Sequence, residues 1–91
     1  MNSTAGRIAD KLQAKLAAAF HPDHLEVIDE SEQHRRHGGW REGGETHFRV
    51  VMRAPVLAGL SRIERSRAVH EVLAVELAGG VHALSLDLSA S

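Results

Sequence analysis

Seven histidines and no cysteine exclude thiol chemistry from this 91-residue chain and make imidazole its most numerous candidate metal-binding nitrogen. His82 is the most pointed of the seven. It follows Gly79-Gly80-Val81 and heads an alternating row, His82, Leu84, Leu86 and Leu88, while Val81, Ala83, Ser85 and Asp87 point the other way. His34 and His37 lie three residues apart in a polar stretch, and His47 stands near the start of a second alternating segment. Imidazoles gathered without thiolates suit a borderline metal that accepts nitrogen ligands. Two imidazoles do not close a tetrahedral site, so such a metal draws its remaining ligands from elsewhere. The plainer reading makes His82 a core-edge residue bonded to backbone, with His34 and His37 simply solvated. His21, His24 and His70 read as structural or exposed.

Arg62, Arg65 and Arg67 form a second constellation. They fall in the first two turns of a helix opened by Ser61-Arg62-Ile63-Glu64, a capping box. The free amides at such a helix start favour anions, which suits phosphate contacts that add affinity without reading sequence. The charges along the chain are also segregated. Eight arginines lie between positions 35 and 67 against three acids, while the remainder carries nine acids against three bases, and the net charge is −1. A basic middle can attract phosphate or an acidic partner. The bland alternative is that each arginine solvates a sheet or helix face. No Gly-x-x-Gly backbone clamp is present, and aromatics, at 3%, leave little for base stacking.

The elements that must position these groups follow from periodicity. Ser3 or Thr4 can cap a first helix whose stripe is Ile8, Leu12, Leu16 and Ala19, with Ala9 and Phe20 beside it and Pro22 limiting it. Leu25 to Asp29 is a short strand. Glu30 to Gly44, rich in Gly, His and Arg, is an exposed loop of a length that is usually functional or disordered. Thr46 to Arg53 alternates strictly, with Thr46, Phe48, Val50 and Met52 inward and His47, Arg49, Val51 and Arg53 outward. Pro55 breaks that strand and Gly59 marks a turn. One helix then runs from Ser61 through Leu77 to a stop at Gly79-Gly80, and a last strand ends at Leu88.

The expected order is α-β-β-α-β, an α+β single domain over residues 1–91. The first two strands pair antiparallel, and the strand-helix-strand unit makes parallel neighbours. A single apolar row per strand puts both helices on one face of a three-stranded mixed sheet. Parallel neighbours start at the same end, so His82, His47 and the loop bearing His34 and His37 are brought to one edge. A hydrophobic fraction of 43% is ordinary for a globular protein, and no apolar run approaches the ~20 residues of a membrane span. No signal peptide pattern opens the chain, so a cytoplasmic location is the default. No nucleophile elbow, phosphate-binding glycine loop or His-Glu-x-x-His pattern is present, which reads as a non-enzyme.

Several segments carry a resemblance, in order and over nearly the whole chain. Leu25-Glu26-Val27-Ile28-Asp29-Glu30-Ser31, the His-rich loop, Glu45-Thr46-His47-Phe48-Arg49-Val50, Gly59-Leu60-Ser61, Arg65-Ser66-Arg67 and Gly80-Val81-His82-Ala83-Leu84-Ser85 resemble the BolA family. The resemblance implies an α-β-β-α-β fold similar to a class II KH domain. It further implies a monothiol glutaredoxin partner with glutathione, and a shared [2Fe–2S] cluster in iron–sulfur trafficking or iron regulation. In that setting His82 is one ligand and a loop histidine, His37 or its rival His34, is the second. The other implied line is transcriptional regulation, with DNA bound on the KH-like surface through Arg62, Arg65 and Arg67. The chain departs from the family at Ser66, where a histidine commonly separates the two arginines.

Overall fold

The computed structural model describes residues 8–30, 47–81 and 83–91. The expected cap at Ser3 or Thr4, the segment with His34 and His37, Thr46 and His82 lie outside the described residues. Within them the order is α1 (Ile8–Phe20), β1 (His24–Asp29), β2 (His47–Arg53), a 3-10 turn (Pro55–Leu57), α2 (Arg62–Val72), α3 (Ala74–Ala78) and β3 (Ala83–Ser89).

α1 buries Leu12, Leu16 and Phe20. Stepping by four residues drifts this stripe around the helix towards Phe20 and leaves Ala19, expected on it, exposed at its margin. The helix stops at Phe20, two residues before Pro22. His21 takes φ 47, and its N–H donates to the Ala17 carbonyl at 3.0 Å, the role that glycine commonly fills after a helix. A residue preceding proline is disfavoured in the helical region, so His21 was bound to leave it.

β2 is the central strand. It pairs antiparallel with β1 and parallel with β3. Register sets Val27 beside Val50 and Val50 beside Leu86, with Leu25, Met52 and Leu88 one rung further along. These rows share one face, and α1 and α2 cover it, closing a core with Leu12, Leu16, Phe20, Phe48, Val69 and Leu73 at its centre. Both helices therefore lie on the same side of the sheet. The opposite side carries Glu26, Arg49, Arg53 and Asp87, all exposed. His47 departs from the outward placement expected of it: it is only 6% exposed. It lies on the central strand between Glu30 and Ala83, whereas Arg49 and Arg53 further along the same strand are exposed.

Ser61 caps α2 as expected, with its hydroxyl accepting from the Glu64 N–H at 3.1 Å and the Glu64 carboxylate accepting from the Ser61 N–H at 2.8 Å. The single helix expected from Ser61 to the glycines is instead two. Leu73 takes φ −101 and ψ 16 between α2 and α3. The bend seats Leu73 fully in the core and turns Val75 out, while Leu73 N–H to Val69 and Leu77 N–H to Leu73 keep the bonding continuous. Of the two glycines, Gly80 takes the positive φ, 141.

α3 buries no residue fully. It is pinned instead by an ion pair. Lys15 Nζ on α1 lies 3.0 and 2.9 Å from the two carboxylate oxygens of Glu76, whose side chain is 8% exposed. Burial alone would push the Glu76 carboxyl up, but the Lys15 hydrogen bond, a backbone amide and the charges of Lys15 and Lys11 hold it below its usual 4.5. A carboxyl whose folded pKa is depressed stabilises the fold above the unfolded value and loses that contribution as pH falls through the folded one. Glu76→Gln should therefore cost about 1–2 kcal/mol at neutral pH, less than a fully buried pair because Lys15 is 39% exposed. Urea unfolding should show the gap between wild type and Glu76→Gln closing below pH 4.5. A gap unchanged by acid would remove the pair from the account.

Candidate functional site

Strand direction brings three separate points of the chain to one end of the sheet. The Glu30 N–H donates to the His47 carbonyl at 2.8 Å, so the residues that flank segment 31–46 are hydrogen-bonded neighbours. On the other side His47 pairs with Ala83, the first residue of β3 and the one that follows position 82. A salt bridge stiffens this end. Arg49 Nε lies 2.9 Å from a carboxylate oxygen of Glu30, whose side chain is 13% exposed. The hydrogen bond that Arg49 donates to Glu30, then the charge of that carboxylate, raise the Arg49 pKa above its usual value and keep the guanidinium charged. Among the described residues no three His, Asp or Glu side chains gather as a metal site. His34, His37 and His82 are outside the described residues, and the structure speaks only to the chain ends that lead to them.

The second constellation lies along the other half of β3. Arg62, Arg65 and Ser66 of α2 face Leu86, Asp87 and Leu88 across a groove of about 290 Å³. Arg65 is half-buried because its Nε donates to the Leu60 carbonyl at 3.1 Å, which fixes its stem beside the helix start. Arg62 is exposed. Arg67 is exposed too, but it is not part of this lining. Five residues of α-helix turn it about 140° from Arg62, so the structure brings together two of the three arginines rather than all three. Asp87 lines the groove through β3, but its side chain alternates with the leucines onto the opposite face, where its charge acts on Arg49.

Among the described residues no helix is long and apolar enough to cross a membrane. A three-stranded mixed sheet with its helices on one face and an arginine-bearing groove at its edge places the chain in the α+β class. The particular family follows from comparison. A family model described as BolA-like protein matches residues 16–91, and the chain belongs to the BolA family. It is 41% identical over 86 residues to BolA-like protein 1 of Mus musculus, covering 94% of this chain and 60% of that one. It is 40% identical over 79 residues to the DNA-binding transcriptional regulator BolA of Escherichia coli, covering 87% and 71%. Among solved structures, the BolA domain of SufE1 from Arabidopsis thaliana superposes with a TM-score of 0.81 at 33% identity over 92% of both chains.

Proposed function

We propose that this chain is an adaptor that partners a monothiol glutaredoxin and shares a [2Fe–2S] cluster with it, in iron–sulfur trafficking or iron regulation. The observation that carries this reading is the meeting of Glu30, His47 and Ala83 at one end of the sheet. His82 adjoins Ala83 in sequence, and His34 and His37 lie in the segment that runs between Glu30 and His47. His82 supplies one imidazole and His37, or else His34, the second. The donor set fits such a cluster in a specific way. With no cysteine of its own, the chain offers imidazole but no thiolate, and in this reading the thiolate ligands come from the glutaredoxin cysteine and glutathione. Imidazole in place of thiolate on one iron raises the reduction potential of the cluster. Anaerobic mixing with cluster-loaded glutaredoxin should yield a co-eluting complex with an altered visible circular dichroism spectrum. Separate elution with an unchanged spectrum would contradict the reading.

A second reading, DNA-binding regulation, is favoured by the similarity to the bacterial regulator and by the arginines on α2. Contacts to phosphate release counterions, so affinity should fall steeply with salt. Arg67→Ala should weaken binding to unrelated duplexes alike and reduce the slope of log affinity against log salt by about 1. Fluorescence anisotropy over a salt series checks this. A slope that Arg67→Ala leaves unchanged excludes that residue from the contact.

A further inference from the structure

We infer that the groove between α2 and β3 receives an extended acidic peptide segment, added to the sheet as a fourth strand with a carboxylate held by Arg62 and Arg65. The inference stands apart from the cluster reading and begins with the backbone. β3 is an edge strand. The Ser89 carbonyl accepts from the Ala54 N–H at 2.9 Å, so the backbone groups of Ser89 are turned towards β2. Backbone direction alternates along a strand, and Leu84, Leu86 and Leu88 therefore turn their N–H and C=O groups to the free edge. Among the described residues no hydrogen bond from outside the sheet reaches these three.

An open edge is common, and proteins usually blunt it with charge, proline or a covering helix. Here α2 does not cover the edge but stands back from it, leaving the groove of about 290 Å³ along Leu86–Leu88. At ~3.3 Å per residue, that stretch matches about three residues of an incoming strand. Main-chain pairing supplies affinity in this mode of recognition, and the flanking side chains supply selectivity. The side chain that such a strand turns towards α2 meets Arg62 and Arg65. A guanidinium pair there selects a carboxylate.

Hydrogen bonding and composition favour a peptide over nucleic acid in this groove. The open carbonyls of Leu86 and Leu88 line it, and they can accept from peptide N–H groups, donors that a phosphate backbone lacks. Phe20 and Phe48 are buried in the core and offer no face to a base.

The test is a random dodecapeptide phage library panned on the whole chain, followed by titration of the selected peptides into the 15N-labelled protein. The expected peptides carry Asp or Glu within an alternating apolar pattern and shift the amides of Leu84, Leu86 and Leu88. N-methylation at alternate peptide positions should abolish those shifts. Arg62→Ala, an exposed substitution whose fold circular dichroism can verify, should weaken binding roughly tenfold. Selection of no peptide, shifts mapping elsewhere, or a DNA oligonucleotide that moves the same amides more tightly would each overturn the inference.

Discussion

Replacing His82 with alanine is expected to abolish the change in visible circular dichroism that follows mixing with cluster-loaded monothiol glutaredoxin. The effect should be all-or-none because a methyl group has no lone pair to replace an imidazole nitrogen on iron. Of His37→Ala and His34→Ala, only one should act in the same way, and the family resemblance makes His37 the first to try. The thermal transition separates a ligand from a structural residue. A ligand role predicts that His82→Ala stays within about 3 °C of wild type, the scale of a substitution away from the core. Loss of the spectral change together with collapse of the melting temperature would instead make His82 a structural residue.

Phe48→Ala is the second large effect, and it falls on the fold. Phe48 is 1% exposed on the central strand, between Asp29 of β1 and Leu84 of β3. Emptying such a position costs about 3–5 kcal/mol, because the surrounding strands and helices cannot all collapse into the space. A domain of 91 residues has only about 5–14 kcal/mol to lose. The melting temperature should fall by ~15–30 °C. Val51→Ala, on the face away from the helices, should cost under ~1 kcal/mol and serves as the control. A Phe48→Ala protein melting within a few degrees of wild type would contradict the arrangement of the core.

Much of this fold is written in short-range pattern. Leu25 and Val27, then Phe48, Val50 and Met52, then Leu84, Leu86 and Leu88 each alternate within a few residues, so each strand declares its buried face locally. Connection type then fixes direction, since a helix between two strands returns the chain parallel to its start. That reasoning reaches the meeting of Glu30, His47 and Ala83 without coordinates. It does not reach features that depend on distant neighbours. Lys15 and Glu76 stand sixty-one residues apart, and nothing beside either one marks the other as its partner. The bend at Leu73 is set by a place in the core, not by a helix-breaking residue. His47 obeys the alternation of β2 and is buried all the same, while Arg49 and Arg53 in the same row are exposed, a difference that period alone does not carry.

The arginine groove was half legible. The capping box located the start of α2, and so placed Arg62 and Arg65 near one another. Reading charge from side chains alone treated Arg67, which lies outside the groove, as their equal. It also had no means of counting the backbone groups that an edge strand leaves open. The groove is as much a property of β3's unpaired amides and carbonyls as of the guanidiniums above them.

The central claim is that an imidazole of this chain binds iron in a cluster held jointly with a monothiol glutaredoxin. Pulsed electron paramagnetic resonance on the reduced complex tests it most directly, with only this chain labelled with 15N-histidine. The account predicts a hyperfine coupling from a directly bound 15N that vanishes in His82→Ala. A spectrum with no 15N coupling, identical to that of glutaredoxin holding its cluster alone, would contradict it.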